Sequence, residues 1–228
     1  MKSNNTIKAL QSFKHAIVAV DSVIFTIKDD ALQVLLLKVI RKPLTNKWVV
    51  PGGLVLPQEN LEKAVNRHIV NKTGIKKIYT EQLYTFGEIN RDPRGRVVSV
   101  AYFSLLADSE TNVSTINDYS NIEWFDIKKL PSLGYDHKEI IVKALKRLRA
   151  KIGYTNIAQY LLAPAFTLSD LQTVYELILG HSLDKRNFRK KILSLDIIEN
   201  SNKKIAGSFR PAVLYRFKSK KTEIVEIL

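Results

Sequence analysis

The sequence predicts an α/β protein of two units. A larger domain of strands around one amphipathic helix comes first, followed by a smaller helix–turn–helix unit closed by a hairpin. Three observations carry this reading. Short Val/Ile/Phe-rich runs dominate residues 13–152, with one stretch of helical period among them and a second closing them. After Gly153 the pattern changes to two helical stretches and then two strand-like runs. The 228 residues, 45 % of them hydrophobic, are enough to bury a sizeable core in one large domain or two modest ones.

Taken in order, His15–Lys28 (HAIVAVDSVIFTIK) and Gln33–Arg41 (QVLLLKVIR) read as strands joined at an Asp29-Asp30 turn, hence a hairpin. Trp48-Val49-Val50 leads into a sharp turn at Pro51-Gly52-Gly53. Leu61, Ala64, Val65 and Ile69 recur at helical spacing, and Gly74 stops that helix. Further strands are expected at Ile78–Phe86, Val97–Leu106 and Ile122–Phe125. A helix over Asp136–Lys151 carries Ile140, Ile141, Ala144, Leu145 and Leu148 on its apolar face.

In the second unit Thr167 and Asp170 are spaced as a capping box. Leu168, Leu171, Val174, Tyr175 and Ile178 form the buried stripe of the helix they open, and Gly180 ends it. A second helix, starting near Ser182 or Asp184, places Phe188, Ile192 and Leu195 inward. At 100° per residue its outer face holds Arg186, Asn187 and Lys190, with Arg189 on the shoulder. Asp196–Glu199 and Val213–Phe217 then flank the polar stretch NSNKKIAGSFRP. Helix, helix and two-stranded wing is the order of a winged helix-turn-helix, whose second helix enters the major groove. A small helical dimerisation domain is the competing reading of the same pattern.

Composition narrows the partners. With no cysteine, disulfides, zinc–thiolate centres and cysteine nucleophiles are excluded. No apolar run approaches the roughly 18 residues a membrane span needs. The polar start MKSNNTIKALQSFK lacks a secretory leader's apolar core. A cytoplasmic protein without a membrane partner is expected. Its net charge of +14 calls for a polyanion, nucleic acid first. Residues 185–221 concentrate that charge, with twelve basic residues against Asp196 and Glu199. Such a cluster gains DNA affinity by releasing phosphate counterions, although charge runs are often no more than solvated faces. An RNA-binding role is less favoured, because clustered aromatics for stacking single strands are missing.

The most informative stretch is Gly53–Ile75, GLVLPQENLEKAVNRHIVNKTGI. It resembles the Nudix box, with Gly53, Glu59, Arg67, Ile69, Gly74 and Ile75 all in register and WVVPGG before it. In Nudix hydrolases the box forms a loop–helix–loop whose Glu residues hold magnesium beside a diphosphate. Here the three positions that the resemblance assigns to Glu are His68, Asn71 and Lys72. A lysine ammonium repels Mg²⁺, which needs hard oxygen ligands. The expectation is a retained scaffold that does not hydrolyse diphosphates: no catalytic residue, no metal, no cofactor. Arg67 would brace the helix, Glu59 would be a less central survivor, and His68 a packed or surface histidine. The loop FGEINRDPRGR (86–96) carries three arginines, whose guanidinium forks suit phosphate oxygens. Phe86, Arg91, Asp92, Arg94, Arg96 and Tyr102 are therefore candidate effector-binding residues, Phe86 or Tyr102 by stacking a base or sugar. Pairing of Asp92 with its arginine neighbours in a purely structural loop is the competing reading.

A Nudix-like α/β (α+β) sandwich followed by a C-terminal winged helix-turn-helix domain resembles the Nudix-related transcriptional regulator (NrtR-like) family. FTLSDLQTVYELILG, LDKRNFRKKILSLDIIE and LYRF are similar to its DNA-binding module. The resemblance implies a bacterial homodimeric regulator, in the first instance a repressor, on a palindromic DNA operator. Its effector would be ADP-ribose or a related NAD-metabolism nucleotide. A sister branch answering to a sugar such as arabinose stays open, as does an active hydrolase of nucleoside diphosphate derivatives using ligands outside the box. The expected layout is an N-terminal arm (1–12), a degenerate effector-binding domain (13–152), a winged helix (153–217) and a basic tail (218–228) that would stay loose or pair at a dimer seam. Arg186, Asn187, Arg189 and Lys190 would face bases and nearby phosphates. Lys185, Lys191, Lys203, Lys204 and Arg210 complete the candidate DNA contacts.

Overall fold

The computed structural model describes residues 15–107, 113–114, 119–205 and 212–227; for residues 202–205 and 212 it describes the backbone alone. Strands β1 (Ile17–Lys28) and β2 (Ala31–Val39) form the expected hairpin. Asp29 and Asp30 both take positive φ, 49° and 52°. Two left-handed residues make the turn whose twist matches the flanking strands, and Asp is among the few side chains that tolerate it.

The hairpin then splays. Near the turn β1 pairs with β2, Phe25 opposite Val34, but at its other end Ala19–Asp21 pair with β4 (Gly52–Leu54). Likewise Leu37 and Lys38 of β2 leave β1 and pair with β3 (Trp48–Val49). The sequence reading took Pro51-Gly52-Gly53 as a turn alone. Gly52-Gly53-Leu54 in fact re-enters the sheet as β4, a strand too short and too glycine-rich to show an alternating pattern. A Cβ on Gly52 would collide with the Asp21 carboxylate and stand 2.5 Å from Val20 C=O, so close approach of the strands requires glycine there. On the far side of β1, β6 (Val97–Leu105) runs parallel to it and carries β5 (Tyr79–Phe86) at the edge, while β7 (Tyr119–Asp126) pairs with β2 to complete a seven-stranded mixed sheet.

Side chains alternate between two layers with the strand period. Val20, Ile24, Leu35, Val100 and Tyr102 pack under α1 (Leu61–Thr73) with its Ala64, Val65 and Ile69. Val23, Phe25, Val34, Leu36, Ala101 and Phe103 face α2 (His137–Tyr154). That second core does not stop at the domain boundary. It continues through a 3₁₀ turn, Ile157–Leu161, into α3 (Leu168–Leu179) and α4 (Lys185–Ser194). The capping box at Thr167 and Asp170 forms in both directions, and Asp184 caps α4 by accepting from Asn187 N–H at 2.7 Å. Phe188 and Ile192 are the buried residues of α4. The wing is β8 (Ile198–Ile205) against β9 (Ala212–Phe217). β8 runs past the expected end at Glu199, because two-stranded pairing of exposed backbone needs no apolar alternation.

The C-terminal tail pairs within its own chain rather than staying loose. Val225 N–H donates to Tyr154 C=O and Ile227 N–H to Gly153 C=O, both at 2.9 Å. Asn156, almost wholly buried, holds the same segment by its amide: Nδ2 donates to Lys221 C=O and Oδ1 accepts from Glu223 N–H. Ile227 is 2 % exposed and joins the core that contains Phe188. Among the described residues no helix is long and apolar enough to cross a membrane.

Candidate effector pocket and DNA-reading surface

A cavity of about 140 Å³ lies where β1 and β2 part. Its lining comes from β1 (Ala19, Asp21), the β3–β4 segment (Val49, Val50, Gly52, Gly53, Leu54), the 91–97 loop (Arg91, Asp92, Arg94, Val97) and Tyr119, Tyr135, His137 and Lys72. A shallower hollow of about 610 Å³ shares Arg91 and Tyr135 with it. Three cations and two carboxylates thus face the cavity, in apolar and aromatic surroundings.

A buried polar network forms its floor. Asp21, in the middle of an apolar strand, accepts from Ser99 Oγ at 2.6 Å and from Arg91 Nη2 at 3.3 Å. Arg91 also grips Asp136, at the head of α2, with Nε and Nη2 at 2.8 and 2.7 Å. Burial opposes a charged Arg91, but the two carboxylates outweigh it and raise its pKa. His137 Nδ1 accepts from Val50 N–H at 3.1 Å, and Nε2 faces Asp21 Oδ1 at 3.7 Å. Because Nδ1 accepts, the ring carries its proton on Nε2, and burial pushes the His137 pKa down in the same sense. Asp21, Asp136, His137, Tyr119 and Tyr135 were not found from sequence. An acid interrupting the run HAIVAVDSVIF was the one available signal.

Only part of the 86–96 loop reaches the cavity. Asp92 and Arg94 form a two-bond pair, 2.9 and 2.7 Å, with the Arg94 guanidinium 5.5 Å from the Tyr135 ring centroid. Burial would raise the Asp92 pKa, yet hydrogen bonds from the Arg94 side chain and backbone hold it below its ordinary value. Arg96 instead turns back on its own loop, donating to Gly87 C=O at 2.7 Å and Glu88 C=O at 3.2 Å. Phe86 packs edge-on against Tyr84, and Tyr102 is 3 % exposed beneath α1. Neither ring lines the cavity. Phe86, expected with Tyr102 to stack a base or sugar, packs with the layer facing α2, and Tyr102 packs with the layer under α1.

The box residues keep the scaffold. Arg67 makes bonds of 2.9 and 2.5 Å to Glu59 and one of 3.0 Å to Leu54 C=O. His68 Nε2 lies 2.9 Å from Leu54 C=O, its ring packed over Gly53, and burial lowers its pKa. Asn71 is exposed. Lys72, half-buried, donates to Gly52 C=O and, at 2.6 Å, to the Tyr119 hydroxyl, with the ring centroid 5.1 Å away.

On the other unit Lys185, Arg186, Asn187, Lys190 and Lys191 are exposed on α4. Arg189 is half-buried and donates to Ser169 Oγ at 2.9 Å, which ties α4 to the start of α3. The cluster's two acids are spent on the wing and its flank: Glu199 pairs with Arg216 and Asp196 with Lys218. The α4 cations therefore face solvent without a local counter-charge from those acids. Lys203 and Lys204 lie in β8, where the backbone alone is described, and Arg210 lies outside the described residues.

A Nudix-type sandwich joined to a basic winged helix defines a transcription-regulator architecture, and comparison with known proteins agrees. Residues 17–145 match the NUDIX domain family, and residues 158–217 the NrtR DNA-binding winged helix domain. The chain is 38 % identical over 206 residues to the ADPR responsive transcriptional repressor NtrR of Acinetobacter baylyi, covering 88 % of this chain and 82 % of that one. The crystal structure of Shewanella oneidensis NrtR complexed with a 27mer DNA superposes with a TM-score of 0.78 at 33 % identity, over 88 % of this chain and 93 % of that one. The NUDIX domain of the same protein, complexed with ADP ribose, matches at 33 % identity and a TM-score of 0.57, over 65 % and 99 %. The chain belongs to the NrtR family of Nudix-domain regulators.

Proposed function

We propose that this protein is an ADP-ribose-responsive transcriptional repressor that binds operator DNA as a homodimer through α4 and the wing, and that its Nudix domain senses its ligand without cleaving it. One observation carries the reading: a single chain holds both an exposed cationic helix face and a cavity lined by Lys72, Arg91 and Arg94, with Lys72 at a box position where the resemblance places a carboxylate. ADP-ribose offers a diphosphate for those cations, and its sugar and base ends suit the adjoining hollow by Tyr135. Arg186, Asn187 and Lys190 would face base edges, while Lys185 and Lys191 hold phosphates. Two-fold pairing of the chain would match a palindromic operator.

The test is an anisotropy titration of a labelled operator with and without ADP-ribose, with arabinose as comparator. Release by ADP-ribose alone is expected. Failure to bind DNA, release by the sugar, or cleavage of ADP-ribose at ordinary turnover would each overturn the reading. Within it, Arg186→Ala is expected to relax base preference, costing ~1–3 kcal/mol on the operator and little on random DNA. Equal losses on both sequences would move the reading head elsewhere.

A further inference from the structure

Nudix folds that hydrolyse diphosphates imply a magnesium ion, and the residues present do not fit one. Mg²⁺ takes an octahedral set of hard oxygens with carboxylates among them. The two carboxylates lining the cavity and the two that brace its surroundings have cationic partners: Asp92 is forked by Arg94, Asp21 is held by Arg91 and Ser99, Asp136 is forked by Arg91, and Glu59 by Arg67. The Gly52 carbonyl, a donor of the type magnesium takes, accepts from the Lys72 ammonium. Among the described residues no group of three His, Asp or Glu side chains is placed to hold a metal ion.

We infer that Lys72 takes the place of the missing cation, so that the diphosphate of the effector is bound without any metal. The inference rests on the effector reading above and deepens it. Three features of the site support it. Lys72 sits at a box position where the family carries an acid, and the α1 helix fixes its backbone there. Its ammonium is anchored from two directions, by the Gly52 carbonyl and the Tyr119 hydroxyl, so the charge is placed before ligand arrives. It lines the same small cavity as Arg91 and Arg94, which are themselves oriented by Asp136 and Asp92. An oriented ammonium sharing one cavity with two guanidinium groups offers a diphosphate what a metal would, namely fixed positive charge and directed donors. It does so without polarising a water for attack, which is consistent with a sensor.

Calorimetric titration of the full chain with ADP-ribose tests this, first in EDTA and then in millimolar Mg²⁺. Equal affinity in both is expected. Affinity that appears only with Mg²⁺, or rises tenfold or more with it, overturns the inference and leaves the effector reading intact. Absence of binding in both overturns the two together. In EDTA, Lys72→Met is expected to weaken binding by roughly tenfold or more, and Lys72→Arg to retain most of it. Unchanged affinity in the Met variant, or equal loss in both variants, overturns a role for the charge. If either variant fails to fold, the EDTA and Mg²⁺ comparison on the native chain still decides.

Discussion

Glu59 and Arg67 tie together a box that carries His68, Asn71 and Lys72 at its other polar positions. Their fork ties the loop before α1 to the helix, and Glu59 also accepts from Leu56 N–H. The hydrogen bond from Arg67, helped by that backbone donor, lowers the Glu59 pKa to about 2. A carboxylate whose folded pKa is depressed stabilises the protein above its unfolded value, and that contribution fades as pH falls through the folded one. Thermal unfolding should therefore show native protein melting above Glu59→Gln at pH 7, with the gap narrowing below about pH 4.5 and closing near pH 2. A gap that persists unchanged at pH 2 would mean the ion pair contributes nothing. The resemblance to the Nudix box implied both a bracing Arg67 and the exchange of acids for His68, Asn71 and Lys72. The partners of Arg91 were not, since Asp21 and Asp136 lie 70 and 45 positions away and no local pattern joins them.

Among the elements, those with strong period were readable and those set by neighbours were not. α3 was legible to its caps because a capping box, an apolar stripe and Gly180 all agree there. β4 and the 3₁₀ turn at Ile157–Leu161 were missed. Three residues of strand exist only because β1 offers a vacant edge, and the turn forms only because Ile157, Ala158 and Leu161 are buried against α2 and α3. Within α3, Tyr175 is fully buried, its ring edge-on to Phe188 at 5.1 Å, and its hydroxyl has no hydrogen-bond partner among the described residues. A buried unpaired hydroxyl costs on the order of 1–3 kcal/mol. Tyr175→Phe keeps the ring and removes that cost, so its urea midpoint should equal or exceed the native one. A variant less stable by 1 kcal/mol or more would reveal a partner for the hydroxyl.

At the scale of the molecule, α2 joins the two functions. Its first residue, His137, lines the cavity and its cap Asp136 the adjoining hollow, and some 27 Å further on its last turn meets the tail and the winged helix. Arg149 donates to Ile178 C=O at the end of α3, and Tyr79 of β5 stacks on Tyr160 at 4.1 Å. Sequence reading divided the chain near residue 153, and the family matches leave 146–157 between them, yet the core runs through that joint. The tail closes it, with Asn156 holding residues 221–223 so that Ile227 can bury. Asn156 and Ile227 thus act as one latch, and their energies should not add. Asn156→Ala is expected to cost about 1–3 kcal/mol, by stranding the Glu223 amide and the Lys221 carbonyl. Ile227→Ala should cost about 2 kcal/mol as a truncated core residue at a chain end. If the latch releases as a unit, the double variant loses little more than the worse single one, and the amides of Val225 and Ile227 exchange early in every case. Strict additivity would show instead that the tail is held at two independent points.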